Sequence, residues 1–445
     1  MRTTMRRPLV KVLIIGLIIR IVLMPLLTYG YDVTHWALTM QHIQAGHGLY
    51  GIDGHWYTPV WGYVLGGTSA FMNLLGMASY GQMFDQALAI ENLEWFAYTA
   101  TLTTLQFNFV VKIPLIIADV IVGYLIYRMI KDRTGDEKKA TYGFALWFLC
   151  PLVIYTSAVH GTFDNISVLF MVLSVYALYK GHDLFAGASL AVAILTKMFP
   201  AYILFALIAY LAMKHKGDMR TFAKRLSIAV AGLCLMAVLI FLPQILDGTF
   251  TESLRFLTGR VDLATSAPEA AAGLWDSLIS FGFKFVLWIQ PLIFLLAAVL
   301  AYIMYRKGDG NRDEAFFACL MVTTAVIFLW PPAPQYILIT LPFLICFIAM
   351  FDKRLILPFV IITTAALVHD LVTHNFSVLM SLAAYTDLLD IGYVVSLVSW
   401  MQEPLIFGLS RQYTMMILAG AAELIGIILV VIYWLRYDKE GRAHA

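Results

Sequence analysis

The chain has 445 residues, of which 61% are hydrophobic and 13% charged, with a net charge of +2 and a mean hydropathy of +0.81. An average soluble domain carries about 25% charged residues. This composition excludes a disordered chain, a nucleic-acid-binding domain and an ordinary soluble enzyme; the long apolar runs predict an all-α polytopic membrane protein.

The N-terminus, MRTTMRRPLVKV, is basic and leads into an apolar run with no small-residue cleavage site after it. It predicts a retained first helix with a cytoplasmic N-terminus. Further apolar runs follow at 107–129, 140–158, 163–180, 184–196, 198–213, 226–243, 285–305, 314–330, 335–350, 354–370 and 413–435. With the first, at 8–28, they predict about twelve spans. The run at 184–196 is short and breaks at Lys197-Met198-Phe199-Pro200, where a cation and a proline interrupt a helix.

Charge distribution orients this map. The segments 1–11, 128–139, 180–183, 214–225, 306–314, 351–354 and 436–445 hold 23 of the 30 Lys and Arg residues. Cytoplasmic loops collect such an excess, so both termini are predicted inside. The seven exceptions are Arg20, Lys112, Lys197, Arg255, Arg260, Lys284 and Arg411. Three long outer segments result, at 29–106, 244–284 and 371–412. The acidic stretch after residue 77 carries no Lys or Arg, so 58–77 is predicted as a half-embedded or interfacial outer helix rather than a span. The segment 371–412 is expected to hold short helices of the same kind.

The four cysteines, Cys150, Cys234, Cys319 and Cys346, each lie in an apolar run. They read as small buried hydrophobes, with no disulfide framework. No nucleotide-binding or metalloprotease motif is present, which disfavours a pump with its own ATPase.

Polar residues gather at the outer ends of the spans. Directly after the first span, Asp32 opens a short amphipathic helix that also carries His35 and Trp36 on its face. A carboxylate beside an imidazole suits general-base work, whereas a carboxylate at a helix start can also simply cap it. His35, His42, His47 and His55 crowd the same loop and with Asp32 and Asp53 could hold a divalent metal, but their spacing fits no specific metal motif and reads rather as interfacial histidines or phosphate donors. In HGTFDN (160–165), His160 and Asp164 reach the outer face, as substrate contacts or as solvated loop residues. Lys112 and Lys197 either snorkel outward or bind an anion such as a lipid phosphate, as do the outer cations Arg255, Arg260 and Arg411. Asp119, deeper on the helix of Lys112, reads as a structural partner, and Arg20 as structurally paired. In WPPAPQYILITLP (330–342), Gln335 and Tyr336 start a span as belt residues or substrate contacts.

These pieces, in this order, resemble the GT-C superfamily of integral-membrane glycosyltransferases. The likeness is greatest to polyprenyl-phosphate-mannose-dependent mannosyltransferases, including the catalytic subunit of GPI mannosyltransferase I and the actinobacterial enzymes acting on phosphatidylinositol mannosides. It rests on YDVTHW, GLYGIDGHWYTPVWGYVL, KIPLIIADVIVGYLIYR, CPLVIYTSAVHGTFDNISVLF, LAVAILTKMFPAYIL and PAPQYILITLPFL. It extends to about residue 345, which divides a catalytic module, 1–345, from C-terminal helices, 346–445.

The resemblance implies a catalytic acid in the first outer loop, a position filled by Asp32. Many members carry a second acid two residues on; Thr34 stands there, which favours chemistry without a metal or other cofactor. Gly161-Thr162-Phe163-Asp164 matches a G-Q-F-D loop with Thr for Gln, Lys197 to Pro200 a K-x-x-P, and Gln335-Tyr336 a Q-Y pair. The implied reaction moves a sugar, mannose by analogy, from a polyprenyl-phosphate donor to a lipid or glycan hydroxyl at the outer face. Asp32 is the expected base. Lys197, Lys112, His160, Arg255 and Arg260 are expected at the donor phosphate. His35, Trp36, Tyr57, Asp164, Gln335 and Tyr336 are expected at the substrates. A lipid-glycan transporter or flippase is the main alternative, followed by a surface-glycan polymerase or ligase. Against transport, the break at 197–200 has no counterpart in a second half of the chain.

Overall fold

A computed structural model describes residues 7–51, 57–77, 79–89, 101–255, 292–306, 313–326, 333–406 and 408–443. The chain is mostly helical. It opens with α1 (Arg7–Leu26), followed by α2 (Gly30–Gln44), α3 (Pro59–Leu74), α4 (Leu105–Thr134) and α5 (Glu137–Phe148). Next come α6 (Pro151–His160), whose last six residues are π-helical, α7 (Asp164–Lys180) and α8 (Asp183–Thr196). After a 3-10 turn at Phe199–Ile203 follow α9 (Leu204–Lys214), α10 (Met219–Leu246), α11 (Leu292–Arg306) and α12 (Asp313–Val326). The C-terminal part adds α13 (Leu341–Met350), α14 (Ile356–Thr373), α15 (Ile391–Gln402) and α16 (Arg411–Ala443). Two small antiparallel ribbons, Phe84–Ala89 with Thr101–Thr103 and Pro404–Ile406 with Leu409–Ser410, lie in the connections.

Among the described residues, five helices are long and apolar enough to cross a membrane: Pro8–Leu26, Leu105–Thr134, Met219–Leu246, Lys353–Thr373 and Arg411–Arg436. A sixth crossing results if α5 and α6 form one span bent by 51°. The bend falls where Pro151 denies the helix a donor and the π-helical turn widens it. The described residues also hold six shorter apolar helices of 10–17 residues, among them α8, α11 and α15. The sequence reading expects about twelve spans, and two of those runs, 285–305 and 314–330, lie partly outside the described residues.

The break expected after the fifth run is present. Thr196 ends α8, Lys197 is fully extended, and a 3-10 turn opens the next helix. The expected outer helix at 58–77 is α3, of 16 residues. The stretch 371–412 holds a short helix at Met380–Tyr385 and α15. Three cysteines are buried as expected, but Cys234 is exposed on α10, which turns most of its apolar surface outward.

A buried polar knot ties the first helices together. Arg20 on α1 donates from Nε (3.1 Å) and Nη2 (2.9 Å) to Asp119 Oδ2 on α4, and from Nη1 to Phe148 O (2.8 Å). Ser157 Oγ (2.6 Å) and Asn165 Nδ2 also donate to Asp119. All four side chains are buried. Charges at such depth are tolerated only when paired and hydrogen-bonded. Asp119 is thus the structural partner the sequence predicted, and its partner is Arg20. Gly187 on α8 faces Ala229 O and Gly232 on α10 faces Leu184 O so closely that a Cβ at either would collide with backbone. Small residues let two membrane helices approach in this way.

Candidate active site

α2 starts at Gly30 with Tyr29 as its N-cap residue, and no side chain caps it. Asp32, in its first turn, is therefore not spent on capping. Its Oδ2 lies 3.1 Å from His160 Nε2. The other ring nitrogen of His160, Nδ1, lies 2.9 Å from Asp370 Oδ2 on α14. His160 and Asp370 are buried, while the Asp32 side chain keeps 20% of its surface open. His374, one turn after Asp370, bonds from Nδ1 to Asp370 O (2.8 Å) and stands 3.4 Å from its carboxylate. The Tyr29 ring covers His160 at 4.9 Å and His374 at 4.2 Å.

The local backbone explains this convergence. His160 ends the π-helical turn, and Gly161 reverses the chain at φ +85°. A Cβ there would press on Val33 and Lys112, so glycine is required twice over. After α14, Asn375 and Phe376 both take positive φ, a strained pair that turns the chain back over the site. Thr28 N then donates to Val378 O at 3.1 Å, joining this turn to the segment before Asp32.

Burial raises the pKa of Asp32, but the His160 hydrogen bond and the charges of His160, His374 and Lys197 outweigh it. The carboxyl is held below its ordinary value and stays ionised.

A buried, ring-packed lysine adjoins. Lys197, 3% exposed, lies 3.6 Å from Asp164 Oδ1. Its ammonium sits over the rings of Phe163 (4.4 Å), Tyr57 (5.1 Å) and Tyr336 (5.1 Å). Such a ring of π-faces holds a cation without neutralising it. Thr162 Oγ1 donates to Asp164, so the loop read as Gly161-Thr162-Phe163-Asp164 is buried rather than solvated. Trp36, buried, donates from Nε1 to Gly161 O at 3.3 Å and packs on Trp61 and Phe163. The Gln335 Oε1 atom is buried and meets no donor among the described residues.

The other residues expected at the site have their own surroundings. Lys112 is fully buried, and its ammonium faces Met24 O (2.9 Å), Leu27 O (2.7 Å), Thr28 Oγ1 (2.8 Å) and Ala158 O (3.2 Å). Three N–H donors against four acceptors leave none for a phosphate; Lys112 clamps the end of α1 to α6. His160 lies between two carboxylates rather than at a free anion site. His35, expected beside Asp32, turns Nδ1 to Tyr31 O at 2.7 Å. The imidazole beside Asp32 belongs to His160 instead. His42 and His47 stack on each other at 5.1 Å, while Asp53 and His55 lie outside the described residues. Arg411 pairs with Glu403 at 2.5 Å and covers Trp400. Arg255 is exposed beyond α10, and Arg260 lies outside the described residues.

Asp370 and His374 were not singled out in the sequence. An acid at the outer end of an apolar run, followed by His one helical turn later, was the available signal. Ligand atoms of His160, Asp370 and His374 lie within 4.8 Å of one another, close enough to gather a divalent cation. Both nitrogens of His160 are engaged, so a cation would displace one of its two hydrogen bonds.

Residues 93–246 match the family model of dolichyl-phosphate-mannose-protein mannosyltransferases, about a third of the chain. No curated protein matches it. The matched segment contains Lys112, His160, Asp164 and Lys197, and the likeness supports a GT-C-type membrane glycosyltransferase of the mannosyltransferase kind.

Proposed function

We propose that the chain is an inverting glycosyltransferase that moves mannose from a polyprenyl phosphate to a hydroxyl of a lipid or glycan at the outer membrane face. The observation that carries this is Asp32: an ionised, partly open carboxylate held by His160 near a buried cation, Lys197. The acceptor hydroxyl gives its proton to the exposed part of Asp32. Its oxygen bonds to the anomeric carbon as the bond from that carbon to the phosphate oxygen breaks. The electron pair leaves with the polyprenyl phosphate, whose growing charge Lys197 stabilises as it trades its 3.6 Å contact with Asp164 for the phosphate. A single displacement inverts the anomeric centre. Tyr57 and Tyr336 flank the cation, and Trp36 supports the loop beneath it.

The Lys and Arg distribution favours cytoplasmic termini and an outer site, with short apolar helices completing about twelve crossings. The site draws on both 1–345 and 346–445, since Asp370 and His374 belong to the latter. Membranes containing the chain, given radiolabelled polyprenyl-phosphate mannose, should form a new glycosidic product without an ion gradient. Label that crosses the membrane without a new glycosidic bond would identify a transporter instead.

A further inference from the structure

Resting on the reading of Asp32 as base, we infer that Asp370 is a positioning residue that acts on Asp32 through His160. A buried imidazole has two nitrogens, and the bond made by one fixes what the other presents. Asp370 Oδ2, 2.9 Å from Nδ1, holds the buried ring so that its Nε2 faces Asp32 Oδ2 at 3.1 Å. Asp32, His160 and Asp370 thus form one carboxylate–imidazole–carboxylate unit.

The surroundings of Asp370 are built for a fixed position. It lies in the last turn of α14, fully buried. Gln412 on α16 donates from Nε2 to Val372 O (3.1 Å) and Thr373 O (3.2 Å), satisfying carbonyls that a helix end leaves open. Gln402 on α15 donates to Asn375 Oδ1 at 3.1 Å, pinning the first residue of the strained turn. Two helices therefore hold the end of α14, and neither lies in the segment 93–246 that matches the family model. A side chain locked by such a layer orients its neighbour at little cost when the reaction occurs.

The test is a double-mutant cycle on the full chain, using polyprenyl-phosphate mannose as donor. Asp370→Asn keeps the shape and removes the charge. It should lower kcat about 10- to 100-fold, as loss of an orienting partner does, with donor KM within about twofold, as expected when ground-state binding is unaltered. In a His160→Gln background the same change should cost nothing further, because its effect runs through the imidazole. Losses that multiply in the double variant, or a loss confined to KM, would overturn the role. Should Asp370→Asn fail to fold, 15N-histidine spectra of the unaltered chain decide. His160, assigned by its absence in His160→Gln, should show one fixed, hydrogen-bonded ring state; averaging between tautomers overturns the proposal. An unaltered chain that transfers no sugar defeats the reading of Asp32 as base, whereas the spectrum still reports on the unit itself.

Discussion

Asp32 and His160 meet at 3.1 Å across 128 positions of sequence. Neither helix bearing them could set that distance alone. Lys112 binds the end of α1 and Ala158 O at once, so the segments preceding both residues are fixed to one ammonium. Gly161 lets α6 end directly against α2, and Trp36 bonds its carbonyl. The distance between Asp32 and His160 is thus a consequence of how three chain ends are tied.

Lys112→Met should accordingly act on folding rather than on donor affinity. The substitution keeps the apolar stem but leaves buried carbonyls without donors, at about 1–3 kcal/mol for each unsatisfied group. Thermal unfolding in detergent should show a clear fall in Tm. Donor KM of the folded fraction should stay near that of the unaltered chain.

Lys197→Gln should do the reverse. It removes the cation enclosed by Tyr57, Phe163 and Tyr336. A charge-assisted hydrogen bond contributes about 1.5–3 kcal/mol, so kcat/KM for the polyprenyl-phosphate donor should fall at least about tenfold. Steady-state kinetics against donor concentration measures this. Loss of folding with unchanged kinetics in the surviving fraction would move Lys197 to the structural class of Lys112.

The pH profile carries a sign. Asp32 must be ionised to accept a proton, and its pKa lies below the ordinary carboxylate value. Activity is therefore retained as pH falls through the usual carboxylate range and is lost only below it. His160→Gln removes the imidazole charge and its hydrogen bond, which lets burial raise the Asp32 pKa. The acid limb of kcat/KM should then move to higher pH.

Much of the site was legible in the sequence, for physical reasons that also mark the limit. Asp32 follows an apolar run directly, Lys197 interrupts one beside a proline, and Arg20 and Asp119 are charges that membrane depth obliges to pair. Residue type and hydropathy reveal such conflicts. They do not reveal direction. His35 shares a helix with Asp32 yet turns to its own backbone, whereas His160 arrives from a distant turn. Lys112 reads as an anion-binding cation until four backbone and hydroxyl oxygens are seen around it. Asp370 and His374 were hidden because their partners, His160 and Tyr29, lie more than 200 residues away, a contact that residue type and hydropathy along the chain do not encode. Helix breaks were hidden for a related cause: hydropathy measures apolarity along the chain and is blind to where a helix bends or stops.

The measurement that tests the account most directly is sugar transfer by Asp32→Asn. The variant keeps the size of the side chain and removes the base. The chain should reach the membrane and bind donor as before, while transfer from radiolabelled polyprenyl-phosphate mannose falls by about 10²- to 10⁴-fold, the range of general-base catalysis. Turnover by Asp32→Asn close to that of the unaltered chain would contradict the assignment of Asp32 as the catalytic base.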